Sequence, residues 1–336
     1  MKRKMIGIIA LVIMSIAASA AVTPSSIPGI TVTESSCDGG YFITSTREST
    51  DKIVTYDSCE SDGIKINKSL DPWAVAKKDG NFSLLNNGVV TCEGSALGDV
   101  GTFDGVEYTT VSEGGLRGMA ASGDVSGACT SKVKSMEGLF YENTTFNQSL
   151  DHFDTSNVTG GMSAMFYGAT AFNQPLDNFD TSNVARMNVM FFGATAFNQS
   201  LDNFDTSNVT DMSNMFHEAS AFNQSLDSFD TSNVTNMSNM FFRATAFNQS
   251  LDSFDTSNVV KMSSMFQFTA AFNQSLAHFD TSNVTNMKAM FYEAVSFNQD
   301  LTGWDVSNIS SEPESFDDNS ALDENNLPIW GTTGSN

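Results

Sequence analysis

The sequence predicts an α/β solenoid of short parallel strands and short helices, with a small β-rich N-terminal cap region ahead of it. Three observations predict this fold. A unit of the form S-N-V-T-x-M-S-x-M-F-x-x-A-x-A-F-N-Q-S-L-D-x-F-D-T recurs, with Phe-Asn-Gln beginning at Phe146, Phe172, Phe197, Phe222, Phe247, Phe272 and Phe297. The first step is 26 residues and every later one is 25, the fixed period of a chain wound in stacked units. The apolar residues keep their places from copy to copy, so each thin unit offsets its ordering entropy only by burying that face on its neighbours. The extra residue of the first step is visible in Val158-Thr159-Gly160-Gly161-Met162, where later copies read like Val184-Ala185-Arg186-Met187.

The chain begins with Lys2, Arg3 and Lys4, an apolar run from Met5 to Ile16, and Ala18-Ser19-Ala20. Residues 1–20 therefore read as a signal peptide, and the mature chain is expected to be secreted or held at the cell surface. The apolar run is too short to span a bilayer, and Gly331 to Asn336 form no hydrophobic tail, so no membrane insertion is expected. Without the signal, 13 basic residues face 39 acidic ones, a formal charge of −26. Binding to nucleic acid or anionic lipid rests on Lys and Arg contacts to phosphate, and this balance argues against both.

Residues 21–128 are rich in Gly, Ser, Thr and Val. Lys52 to Tyr56 and Gly105 to Val111 alternate as strands do, and Asn86-Asn87-Gly88 marks a turn between Leu84-Leu85 and Val89-Val90. This stretch is the expected β-rich region and cap. Four cysteines, Cys37, Cys59, Cys92 and Cys129, all precede the regular repeats. An even number in an exported chain points to two disulfides, and the sequential pairing Cys37–Cys59 and Cys92–Cys129 is the reading preferred among three connectivities. Cys129 stands where later copies carry the Asp of Asp-Thr-Ser-Asn, so a bond to Cys92 would staple the first repeat.

The repeats occupy 129–310, and 311–336 read as a C-terminal cap and tail. Within one repeat, Val209, Met212, Met215, Phe216 and Ala219 fall on a helical stripe. Leu226 to Asp230 has no helical period and suits a short strand. Thr231-Ser232-Asn233 turns the chain and offers a cap for the next helix. The Met and Phe rows read as core.

The run Thr231 to Gln249 resembles the repeat of the BspA-like leucine-rich-repeat surface proteins, and the likeness extends over about residues 129–310. Asn87 to Cys92 and Gly98 to Tyr108 resemble the lead-in of such arrays. Ser307 to Pro313 with Trp330-Gly331 resembles their closing cap. The resemblance implies a leucine-rich-repeat-like solenoid, a surface or secreted life, and adhesion or partner binding without catalytic residues. No lipid-attachment cysteine follows the signal, a departure from the anchored members.

Repeated polar residues become columns. Asp154, Asp180, Asp205, Asp230, Asp255 and Asp280, continued by Asp305, form one. Carboxylates at such spacing need neutralising, and the favoured reading is that each accepts N–H bonds within its own turn. Calcium bridging is the weaker metal alternative, and no other cofactor is called for. A second column runs Asp151, Asp177, Asp202, Asp227 and Asp252. The Asn of each Phe-Asn-Gln, from Asn147 to Asn298, forms an amide ladder, read as interior and bonding coil to coil. Thr155, Thr181, Thr206, Thr231, Thr256 and Thr281 form a hydroxyl column, the residue type an ice-binding face would use, although one Thr per coil beside Asp is a poor flat array.

No catalytic motif is present, and a chain this regular has little room for a unique constellation, so no enzyme is expected. The candidate binding ridge is the variable column Tyr167, Phe192, His217, Phe242, Gln267 and Tyr292. Its two readings are half-buried packing and a contact surface for an unidentified protein or glycan. The competing function is a structural or shielding surface protein without a defined ligand.

Overall fold

The computed structural model describes the strands β1 (Ile30–Glu34), β2 (Tyr41–Arg47) and β3 (Thr50–Thr55) and residues 75–334. The signal segment, Cys37 and Cys59 lie outside the described residues. The chain divides into two compact units, Met1–Ala74 and Val75–Asn336. In the first, β1, β2 and β3 form an antiparallel sheet in that order.

In the second unit, β4 (Val75–Asp79), β5 (Phe82–Leu85) and β6 (Val90–Thr91) form an antiparallel sheet. Asn86-Asn87-Gly88 makes the turn between β5 and β6, with Gly88 at φ 93°, as the sequence predicts. Next, β7 (Val100–Phe103) pairs antiparallel with β8 (Val106–Thr110), and β8 pairs parallel with β9 (Ala128–Cys129). Between β8 and β9 lies helix α1 (Glu113–Ser122). Ser112 caps it by accepting from the Gly115 N–H, and Gly123 ends it at φ 87°. The Cys92–Cys129 disulfide is present, with 6.3 Å between the Cα atoms. It sits in a small core with Phe82, Val90 and Phe103.

The repeats depart from the expected strand-and-helix unit. Between residues 130 and 323 the described chain contains no helix and no strand, only turns and isolated parallel bridges such as Asp211↔Asn236↔Lys261↔Asn286. The stripe from Val209 to Phe222 is a run of tight turns. Met215, His217, Ala219 and Phe222 each donate to the carbonyl three residues back. A helix would use the fourth residue back and keep every φ near −60°. Here Asn214 and Glu218, both at φ 57°, stand in the left-handed region and interrupt each potential helix. Leu226 to Asp230, expected as a strand, is another turn, closed by Phe229 N–H to Leu226 C=O at 3.0 Å.

The turns leave alternate N–H groups free to bond the following repeat. Met212, Asn214, Phe216 and Glu218 donate to the carbonyls of Asn236, Ser238, Met240 and Phe242 at 2.7–3.0 Å. The next repeat does the same from Met237, Asn239, Phe241 and Arg243. The backbone polar groups are thus satisfied between units rather than within a helix. Where the 26-residue step inserts a residue, a Cβ on Gly160 would lie 2.8 Å from that of Ser135, which explains the glycine there.

The predicted core positions are buried although the predicted helix is absent. Val209, Met212, Met215, Phe216, Ala219, Phe222 and Leu226 are fully buried, and so are their equivalents in most copies. Phe216 and Phe222 stack at 4.1 Å within one repeat. Each row continues into the next repeat, Phe216 to Phe241 at 5.7 Å and Phe222 to Phe247 at 6.1 Å. The Phe153 to Phe279 row ends on Trp304, whose indole N–H donates to Leu276 C=O at 3.0 Å. Burying one such ring contributes roughly 1.5–3 kcal/mol, so the rows dominate the attraction between units.

Candidate binding surface

The polar columns resolve into hydrogen-bonded ladders. In Asp-Thr-Ser-Asn, Asp230 Oδ1 accepts the Ser232 N–H at 3.0 Å and its hydroxyl at 2.6 Å. Asp154, Asp180, Asp205, Asp255 and Asp280 repeat the arrangement, and Asp305 accepts the Ser307 N–H at 3.0 Å. The Ser257 hydroxyl and N–H hold the Asp255 carboxyl below the usual range. This is the self-contained turn that Asp-Thr-Ser-Asn suggested. Among the described residues, no group of three or more Asp, Glu, His or Cys is placed to hold a metal ion. The second column, from Asp151 to Asp252, keeps its carboxylates exposed.

The threonine column faces inward. Thr206 is 1% exposed, and its hydroxyl donates to Asp230 C=O in the next repeat at 2.9 Å. Thr155, Thr181, Thr231, Thr256 and Thr281 do the same. A buried column presents no face to ice, so that reading of these threonines is withdrawn. A β-branched side chain with one hydroxyl packs as core once that hydroxyl finds a carbonyl, and the next repeat supplies one every time.

The amide ladder bonds repeat to repeat as expected. Asn173 Oδ1 accepts both the Asn198 N–H and the Gln199 side-chain N–H at 2.9 Å. Its position differs from the expectation, because these asparagines are half-buried or exposed rather than interior.

The variable ridge becomes a row of rings. Tyr167 stacks on Phe192 at 4.5 Å, Phe192 on His217 at 4.1 Å and His217 on Phe242 at 4.3 Å. Tyr141, which the sequence reading missed, begins the row 4.6 Å from Tyr167. Its signal was its place after Leu139-Phe140, one 26-residue step ahead of Tyr167. Gln267 breaks the row. Phe268 carries it onward instead, packed edge-on to Phe242 at 5.6 Å and to Tyr292 at 5.4 Å. Tyr167, Phe192 and His217 each have a ring stacked on both faces, whereas Tyr141 at the end of the row is 51% exposed. His217 is half-buried between two phenyl rings, and its Nδ1 has no hydrogen-bond partner among the described residues. Burial pushes its pKa down to about 4, outweighing the upward pull of Glu218 and reinforced by Arg243. The ring is therefore neutral at pH 7.

Beside Phe268 lies a groove of about 550 Å3. One wall is the left-handed column Glu218, Arg243, Phe268 and Glu293, all with φ between 53° and 58°. Arg243 Nη1 lies 3.0 Å from Glu218 Oε1, and its guanidinium sits over the rings of Phe242 and Phe268 at 5.3 and 5.0 Å.

An array of turn-built units tied by ladders, with one irregular aromatic edge, is the architecture these residues define. Two segments, residues 116–229 and 222–330, match the family described as "Mycoplasma protein of unknown function, DUF285". Together they cover more than half of the chain, which belongs to this repeat family. No curated protein and no solved structure matches it. Among the described residues, no helix is long and apolar enough to cross a membrane.

Proposed function

We propose that the chain is an exported, non-enzymatic repeat protein whose units wind into a leucine-rich-repeat-like solenoid and present one surface to a macromolecular partner. The solenoid reading is supported by the 25-residue register of the backbone bonds, the amide ladder and the ring rows. Export rests on the signal-like segment 1–20, and adhesion on the resemblance of the repeat to BspA-like surface proteins. The carrying observation is the distribution of irregularity. The inner columns hardly vary, whereas the edge from Tyr141 to Tyr292 mixes aromatic rings with Gln267 and, in the column beside it, with glycine, glutamate, Arg243 and Phe268. A protein selected only to be regular has no need of an uneven outer edge.

The test is a solid-phase screen of purified residues 21–336 against extracellular-matrix proteins and a glycan array. Saturable binding at micromolar concentration or tighter to at least one of them is expected. Silence across both panels would leave the structural or shielding role, which the uniformity of the Asp, Asn and Thr columns favours.

A further inference from the structure

The groove beside Phe268 is where three departures from the repeat coincide. The first is the wall formed by Thr195, Ser220, Thr245, Ala270 and Val295. Its first three members carry hydroxyls that donate to the carbonyls of Thr170, Thr195 and Ser220 in the preceding repeats, at 3.3–3.4 Å. At Ala270 and Val295 the wall turns apolar, and Val295 is 54% exposed. The second is the opposite wall. Glycine or glutamate fills the left-handed position in the earlier copies, at Glu142, Gly168, Gly193 and Glu218, whereas Arg243 and Phe268 bring a cation and a ring to it. The third is charge. Arg243 is already paired with Glu218, whereas Glu293 meets only the Asn319 amide, at 3.1 Å, and no lysine or arginine among the described residues pairs with it.

We propose that this groove binds an extended basic segment of a partner polypeptide. An aliphatic or aromatic side chain seats on Phe268, Ala270 and Val295, and a lysine or arginine reaches Glu293. The inference rests on the binding role proposed above and gives it a site and a chemistry. The walls run along the direction of repetition through five successive repeats. Four steps of roughly 5 Å make about 20 Å, which about six extended residues span at ~3.3 Å each. The formal charge of −26 on residues 21–336 draws basic chains from a distance, and the apolar stretch of the walls selects among them. A sugar is the poorer fit. Tyr167, Phe192 and His217 are stacked on both faces and show it only their edges, and the Arg243 guanidinium lies over the Phe268 ring.

Fluorescence anisotropy on residues 21–336 tests this with labelled seven-residue peptides, one alternating lysine and leucine and one alternating glutamate and leucine. The lysine–leucine peptide is expected to bind at micromolar concentration and the glutamate–leucine peptide to fail. Glu293→Gln keeps the Asn319 contact and Val295→Ser alters an exposed side chain. Each should weaken the lysine–leucine peptide by about tenfold, with the melting temperature unchanged. Asp227→Asn, in the acidic column away from the groove, should leave it unchanged. The proposal is overturned if the wild type does not bind, if Asp227→Asn weakens binding as much as Glu293→Gln, or if a neutral tetrasaccharide displaces the peptide. Should both groove variants bind matrix proteins as the wild type does, the groove reading fails and the adhesive one stands. Should the matrix and glycan screen be silent while the peptide result holds, the adhesive reading alone fails.

Discussion

At the scale of single residues, the repeat holds side chains in a backbone conformation that most of them resist. The left-handed column containing Asn214 and Asn239 holds Val189 at φ 52°. Asn tolerates this region because its short polar side chain bonds locally, whereas a β-branched chain clashes with its own backbone at a cost of about 1–2 kcal/mol. Val189→Asn is therefore expected to stabilise the protein by about 1 kcal/mol, read as a higher denaturant midpoint at constant slope. An unchanged or lower midpoint would show that Val189 packing outweighs the strain. His217 gives a second residue-scale expectation. Its folded pKa of about 4 lies below the ordinary 6.5, so the unfolded chain binds the proton more readily. Its contribution is complete above pH 6.5 and is lost as the pH falls from there towards 4. His217→Phe keeps a ring between Phe192 and Phe242 and removes this dependence. Its melting temperature should fall less than the wild type's between pH 7 and pH 4.5, and equal falls would refute the assignment.

At the scale of the element, the core positions were legible and the backbone was not. Turns closed three residues back bury every third side chain, so Val209, Met212, Met215, Ala219 and Phe222 fit a helical stripe equally well. Of the left-handed residues that decide the matter, Asn214 and Asn239 are of a type that tolerates positive φ, whereas Glu218, Arg243 and Phe268 give sequence reading no such signal. The Asp-Thr-Ser-Asn turn was legible because it is local: Asp bonds its own Ser. The inward course of the threonines was not, since it depends on a carbonyl 24 residues away. From the turn geometry, Asp230→Ala should cost about 1 kcal/mol through the lost N–H and hydroxyl bonds. Asp230→Asn, which keeps an acceptor oxygen, should cost less than half of that. Neither calcium nor a chelator should move the wild-type melting temperature. A rise of several degrees with calcium, absent with sodium at equal ionic strength, would assign the Asp columns to metal instead.

At the scale of the whole molecule, a repeat array is stable only if its last unit is closed, because every unit offers N–H donors and an apolar face to the one that follows. The sequence leads one to expect a cap and tail at residues 311–336 and says nothing of the bonds that would make it. Backbone bonds from Ala289, Phe291 and Glu293 run to Glu314, Phe316 and Asp318, in the same pattern by which one repeat meets the next. Leu301 and Val306 donate to Asn326 and Thr332, and Phe316 packs edge-on against Phe291 at 5.4 Å and Trp330 at 4.9 Å. The cap thus takes up the bonds of the last repeat in the repeats' own pattern, and among the described residues its outer side donates to no further unit. Ending the chain at Ser310 would leave five N–H donors without acceptors and uncover the Phe291 ring where Phe316 packs on it. Each such donor left in a dry setting costs about 1–3 kcal/mol, and the exposed rows offer a template for a second copy. The truncated protein is expected to associate with concentration, seen as a rising mass in light scattering, while the full-length chain keeps a constant mass over the same range. Adding Phe316→Ala to the full chain separates the two contributions, since it keeps the backbone bonds and removes only the ring. It should lower stability by about 3–5 kcal/mol without association. Association of that variant to the same degree as the truncation would mean that apolar cover, rather than backbone closure, keeps the array finite.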